Sequence, residues 1–171
     1  IMELGGVLDD FAGDGIKANF GVPLHDPDKI ADDARNAVRC AMAMAARLER
    51  MNEEWVHRGG VRVGMRIGIH TGLVVAGTVG SRARMKYTTI GREVNRAARL
   101  EALGAVAGPD AQDAAQSCRI LISDATAELV GDVFKLEDLG CFQLKGIAAS
   151  TRVFRVLCAE TGEGGARPQN L

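Results

Sequence analysis

Between Tyr87 and Glu101 the chain changes character across a single glycine. Tyr87-Thr88-Thr89-Ile90 is a β-branched and aromatic run that suits a pleated, half-buried strand, and Gly91 ends it. From Arg92 onward the residues are good helix formers, with Val94, Ala97 and Ala98 at the three-to-four spacing of one apolar face. Asn95 and Arg99 lie four apart and project together from a neighbouring stripe. A strand that turns at a glycine into an amphipathic helix commits the chain to a sheet covered by helices, because each element has one face that needs a partner.

The rest of the chain supplies those partners. Ile30 to about His57 is the longest helical pattern, with Ala34, Val38, Ala41, Ala45, Leu48 and Trp55 on one stripe. The small residues there allow close approach to a sheet, and Met42, Met44 and Met51 read as core filler. Val61 to Thr71 alternates as a strand, with Val61, Val63, Met65, Ile67 and Ile69 on one face and Gly64, Gly68 and His70 on the other. The glycines leave room for another element, and His70 reads as a satisfied histidine rather than an acid or base. Leu73 to Val79 is expected to form a hairpin with that strand. Ser117 to Ser123 is a further strand, Asp124 is expected to cap a short helix ending near Gly131, and Val133 to Leu144 and Thr151 to Leu157 close the sheet around Lys145-Gly146. Near the start, Val7 to Phe20 reads as a hairpin whose tight turn, Gly13-Asp14-Gly15, carries Asp14 at its tip. Ile1 to Leu4 reads as the last turn of a helix stopped by Gly5-Gly6, which implies chain upstream.

The expected fold class is therefore α/β, an α+β sandwich. One domain spans 1–158, and 159–171 is a flexible tail. The 104–116 segment reads as a surface loop without a motif. A chain of 171 residues, 47% of them hydrophobic, can bury one core. Its net charge of −1 gives no basic footprint for nucleic acid. No apolar run approaches the ~18–20 residues of a membrane span, and nothing resembles a signal peptide. A cytoplasmic location is expected, as a soluble protein or as the cytoplasmic part of a larger membrane protein. The four cysteines are scattered without a CxxC pair, so they signal neither zinc nor a disulfide framework and read as small buried hydrophobes.

Asp9, Asp10 and Asp14 cluster on the first hairpin, either as ligands for a hard cation such as Mg²⁺ or as a solvated acidic edge. The tip carboxylate of Asp14 with Asn95, Arg99 and Lys145 suits a nucleoside triphosphate, whose phosphate oxygens need fixed cations around them. Arg82, Arg84 and Lys86 form a basic connection of the same character.

The segments GDGIKANFG, RIGIHTG, VAGTVGSRARMKYTTIGREVNRAARLEAL, ILISDAT and LGCFQLKG with TRVFRVL occur in this order over nearly the whole chain. They closely resemble the class III nucleotidyl cyclase catalytic domain of the bacterial, class IIIb-like type. The resemblance implies a ferredoxin-like βαββαβ core and a head-to-tail homodimer with active sites between protomers. It also implies conversion of ATP to cyclic AMP, or GTP to cyclic GMP, with release of pyrophosphate. Two Mg²⁺ or Mn²⁺ ions per site and upstream sensor domains come with it.

Carried over by residue, Asp14 resembles the second of two metal aspartates. Asn95 resembles the residue that orients the ribose, and Arg99 the arginine that stabilises the transition state at the α-phosphate; both come from the protomer opposite the metal site. Lys145 resembles a triphosphate-contacting lysine, and Arg82 and Arg84 are matched to similar work. Thr88 stands at a base-recognition position and resembles class IIIb adenylyl enzymes. The family's first metal aspartate lies on a strand upstream, so the first strand of the core is absent and this chain alone is expected to be inactive or nearly so. Asp10 stands where adenylyl cyclases carry lysine and guanylyl cyclases glutamate. Ionised, it accepts from guanine N1–H and N2–H₂ but cannot donate to adenine N1. Adenylyl cyclase is the expectation; the alternatives are a guanylyl cyclase or an inactive cyclase-like dimerisation module.

Overall fold

The structure, a computed structural model, describes residues 1–23, 26–82, 84–103 and 117–157. The expected 104–116 loop and the 159–171 tail lie outside the described residues.

One four-stranded sheet organises the domain. Strand β3 (Met65–Ile69) pairs in parallel with β6 (Cys118–Ser123), which pairs antiparallel with β8 (Thr151–Val156), which in turn pairs antiparallel with β7 (Leu136–Phe142). Helix α1 (Ile30–His57) lays its small-residue stripe, Ala34, Val38, Ala41 and Ala45, on one face, with Cys118, Ile120 and Ile122 beneath it. The short helix α3 (Asp124–Val130) adds Val130 to the same layer. Helix α2 (Arg92–Leu103) covers the other face, where Leu100 meets Leu121, Leu144 and Val153. Strand β6 is therefore buried on both sides, which its run of Ile and Leu anticipates. Among the described residues no helix is long and apolar enough to cross a membrane.

Two further strand pairs stand outside that sheet, β1 (Val7–Ala12) with β2 (Gly15–Asn19) and β4 (Val75–Ser81) with β5 (Arg84–Ile90). The second corrects the expected hairpin. The strand after Gly60 does not pair with the one that follows it; β3 takes β6 as its partner, from Met65↔Cys118 to Ile69↔Ile122. Alternation fixes which side chains share a face but not which strand lies alongside. Pairing with β6 lets Met65, Ile67 and Ile69 pack against the larger core. The strand is also shorter than expected, and Val61 and Val63 are exposed. The buried Asn52 of α1 holds that stretch instead: its Oδ1 accepts from Val63 N at 2.9 Å, and its Nδ2 donates to Val63 O at 2.9 Å and Ser117 Oγ at 2.8 Å. Beyond Asn52 the expected stripe runs off the sheet, leaving Trp55 exposed. The cap of α3 is Ser123, whose Oγ accepts from Thr126 N at 3.3 Å, rather than Asp124. Cys40 and Cys118 are buried as expected, whereas Cys141 is exposed.

Gly68 sets the seat of α2. A Cβ there would lie 2.3 Å from Glu101 N and 2.4 Å from Ala97 O, backbone atoms that move only if the helix moves. Gly68→Ala is expected to destabilise the domain by about 1–3 kcal/mol through overpacking, read from the denaturant midpoint.

Candidate active site

The first hairpin docks on β5 through a buried carboxylate. Asp9, its side chain 1% exposed, receives Thr88 Oγ1 on Oδ1 at 2.6 Å. On Oδ2 it receives Thr89 N at 3.0 Å, Thr89 Oγ1 at 2.9 Å, Asn19 Nδ2 at 2.7 Å and the Lys17 ammonium at 2.9 Å. Burial by itself raises the pKa of this carboxyl, but the donors on Thr88, Lys17, Thr89 and Asn19 outweigh it and hold the group far below the usual carboxylate range. A register shift between Leu8 and Asp10 accompanies this arrangement. Asp10, half exposed, forms an ion pair with Lys86 of β5.

The expected acidic cluster is thus corrected. Asp9 and Asp10 are each neutralised by a lysine, and only Asp14, exposed in the two-residue turn between β1 and β2, has no side-chain partner among the described residues. Also among the described residues, no three His, Cys, Asp or Glu side chains converge as a metal site.

Asn95 and Arg99 are exposed on α2, and neither side chain has a hydrogen-bond or ion-pair partner among the described residues. Across from Asn95 lies the 146–149 turn between β7 and β8. The two sides enclose a cleft of about 350 Å³ lined by Arg92, Glu93, Asn95 and Arg96 on one side and Gly146 to Ala149 on the other. Lys145, exposed, stands at the edge of that turn. Thr88 is half-buried at the end of β5 that leads into α2. The structure therefore brings Asn95 and the Lys145 turn together, and Asp10 and Thr88 to one face of β5. Arg82 and Arg84 lie at the β4–β5 turn and do not line the cleft. Asp14 does not line it either.

Sequence reasoning missed Asp9 as an anchor, and with it Lys17 and Lys86. Hairpin register places Lys17 opposite Asp10, yet its ammonium reaches Asp9, so register alone points to the wrong carboxylate. Lys86 was not legible, because nothing in the sequence tells which face of β5 receives the hairpin.

His70 sits behind this surface, its side chain 1% exposed. Nε2 lies 2.6 Å from Glu93 Oε2 at the start of α2, and Nδ1 lies 2.6 Å from Ser123 Oγ, the α3 cap. This satisfies the reading of a paired histidine. Neutral imidazole serves both contacts, donating from Nε2 and accepting from the Ser123 hydroxyl. Burial pushes its pKa down against the upward pull of Glu93; Arg96 adds to the fall and Asp124 opposes it. Because the folded value lies below the ordinary 6.5, His70 contributes stability fully above pH 6.5 and loses it as pH falls below that value. Unfolding free energy measured across this range is expected to fall with acid in the wild type and to be flatter in His70→Asn.

A family model for the adenylate and guanylate cyclase catalytic domain matches residues 11–157. The chain belongs to this family. Adenylate cyclase 1 of Rhizobium meliloti (strain 1021) is 32% identical over 152 residues, covering 89% of this chain and 21% of that protein. The chain thus spans about a fifth of that relative. Among solved structures, the adenylyl cyclase CyaB from P. aeruginosa superposes with a TM-score of 0.78 at 32% identity, over 95% of this chain and 77% of that one. The guanylyl cyclase Cya2 does so with 0.74 at 32% identity, over 99% and 76%. The cyclase domain has the expected α/β architecture with the ferredoxin-like core of these neighbours.

Proposed function

We propose that this domain cyclises ATP to 3′,5′-cyclic AMP and pyrophosphate as part of a head-to-tail dimer with Mg²⁺ or Mn²⁺, in cyclic nucleotide signalling at the cytoplasmic side, under upstream sensor domains. The observation that carries the reading is the exposed α2 stripe: the Asn95 amide across from the 146–149 turn and, one helical turn on and outside that cleft, the Arg99 guanidinium, both without intramolecular partners among the described residues. Polar groups held in this way suit a ligand with developing negative charge.

In the reaction the 3′-oxygen bonds to the α-phosphorus as the bond to the pyrophosphate oxygen breaks and the hydroxyl proton leaves to water. Asn95 holds the ribose so that this oxygen is in line. Arg99 meets the charge that builds on the α-phosphate oxygens, and Lys145 holds the triphosphate. Asp14 lies outside the Asn95 cleft, which supports a site completed by a second protomer. One free carboxylate fits an ion shared with substrate phosphates, and Asp14 would hold it. When bound, such an ion supplies charge neutralisation at the phosphates and acidifies a ligating hydroxyl. The preference for ATP rests on Thr88. The similarity to CyaB and Cya2 at equal identity favours neither base.

Cyclic nucleotide formation from ATP and from GTP, with Mg²⁺ or Mn²⁺ and in the full-length protein, tests the reading. Product from ATP supports it. Absence of product from both, in folded dimeric protein, would replace it with a regulatory cyclase-like module.

A further inference from the structure

Three sets of groups meet where the first hairpin rests on β5: the Asp10–Lys86 ion pair, the Thr88 hydroxyl, and the Asp9–Lys17 pair behind it. The exposed ion pair does not discriminate between purines. Adenine presents the N6–H₂ donor beside the N1 acceptor, and guanine the O6 acceptor beside the N1–H donor. A carboxylate next to an ammonium offers one acceptor and one donor, so it can meet either edge. Lys86 thereby restores the donor that Asp10 alone lacks.

Thr88 is different. A threonine hydroxyl is ordinarily a rotor that donates or accepts as its neighbour requires. Here the proton is committed, because the ionised Asp9 only accepts and its Oδ1 lies 2.6 Å from Thr88 Oγ1. Thr88 Oγ1 in turn accepts from Lys17 Nζ at 3.2 Å. The ammonium is committed as well, to Asp9 Oδ2 at 2.9 Å and Thr89 O at 2.5 Å in addition to Thr88. Turning the Thr88 proton outward would strip a partner from a carboxylate that is 1% exposed. What Thr88 can offer a ligand is a lone pair.

We propose that Asp9 is a positioning residue that sets base specificity: by holding the Thr88 proton it makes Thr88 an acceptor only, selecting a purine with an amine at C6 over one with a carbonyl there. The inference rests on the cyclase reading, in which Thr88 faces the base. A C6 carbonyl would set lone pair against lone pair, which weakens binding by about tenfold to a hundredfold.

The test is equilibrium binding of non-reactive α,β-methylene analogues of ATP, of GTP and of purine riboside triphosphate, which has no group at C6. For the wild-type protein the expected order is ATP analogue tightest, purine riboside intermediate, and GTP analogue weakest by about tenfold or more. In Asp9→Asn the amide donates to Thr88 and frees its proton, so the ATP-to-GTP affinity ratio should fall about tenfold toward parity. In a Thr88→Val background the same change should leave the ratio unmoved, an outcome that a merely structural role for Asp9 does not predict. If Asp9→Asn does not fold, the wild-type series with three purines still decides. Equal or tighter binding of the GTP analogue, or an unchanged ratio in folded Asp9→Asn, overturns the inference. Cyclic product measured in parallel keeps the two readings apart. Product without an ATP preference sinks the role of Asp9 and leaves the cyclase; an ATP preference without product does the reverse.

Discussion

Replacing Arg99 by alanine is expected to lower kcat for cyclisation by about 10²- to 10³-fold while changing KM little. The charge that Arg99 meets exists mainly in the transition state, when the α-phosphate oxygens are most negative, so its loss falls on the chemical step rather than on substrate binding. The fold should not suffer. Arg99 is exposed, has no hydrogen-bond or ion-pair partner among the described residues, and lies inside a helix where alanine is the most favourable residue. An unchanged unfolding midpoint beside a collapsed kcat would isolate the chemical role. A large rise in KM at unchanged kcat would instead make Arg99 a ground-state binding residue and would remove the main mechanistic support for the cyclase assignment.

Replacing Asp9 by alanine is expected to cost about 3 kcal/mol of stability, the low end for breaking a buried ion pair, since Lys17 keeps 29% of its side chain in water. The change leaves the Lys17 ammonium, the Asn19 amide and the Thr89 N–H without their shared acceptor. Hairpin β1–β2 should then separate from β5 before the main sheet unfolds, because these contacts, with the Asp10–Lys86 pair, are the chief polar links between the two. Hydrogen exchange faster in residues 7–19 than in β6 and β8 would report that order. Acid should mimic the mutation. The Asp9 pKa is depressed on folding, so its contribution is complete above the ordinary value of 3.8 and disappears as pH falls below it. Protection of the hairpin independent of both the Asp9 side chain and acid would show that apolar packing, not the carboxylate, holds it.

The elements were legible where one residue pattern suffices. The small-residue stripe of α1, the strand-to-helix change at Gly91 and the near-continuous apolar run of β6 each state a local preference and a buried face. So did the pairing of Asn95 with Arg99, since a spacing of four on a helix is geometry rather than context. The partner of β3 was not legible, because alternation is the same whichever strand lies beside it, and burial against β6 decided the matter.

Side-chain roles divided along the same line. Residue order alone carries aspartates and lysines on the first hairpin and on β5, puts Asp14 in a turn and sets His70 at the end of a strand. The docking of the hairpin on β5 buries Asp9 with Lys17 and leaves Asp10 at the surface with Lys86, and the packing of the helices makes His70 the link from α2 to the α3 cap. Adjacent carboxylates are chemically alike in the chain. Which of them loses water, and so which must be ionised and fully paired, depends on where another element comes to rest.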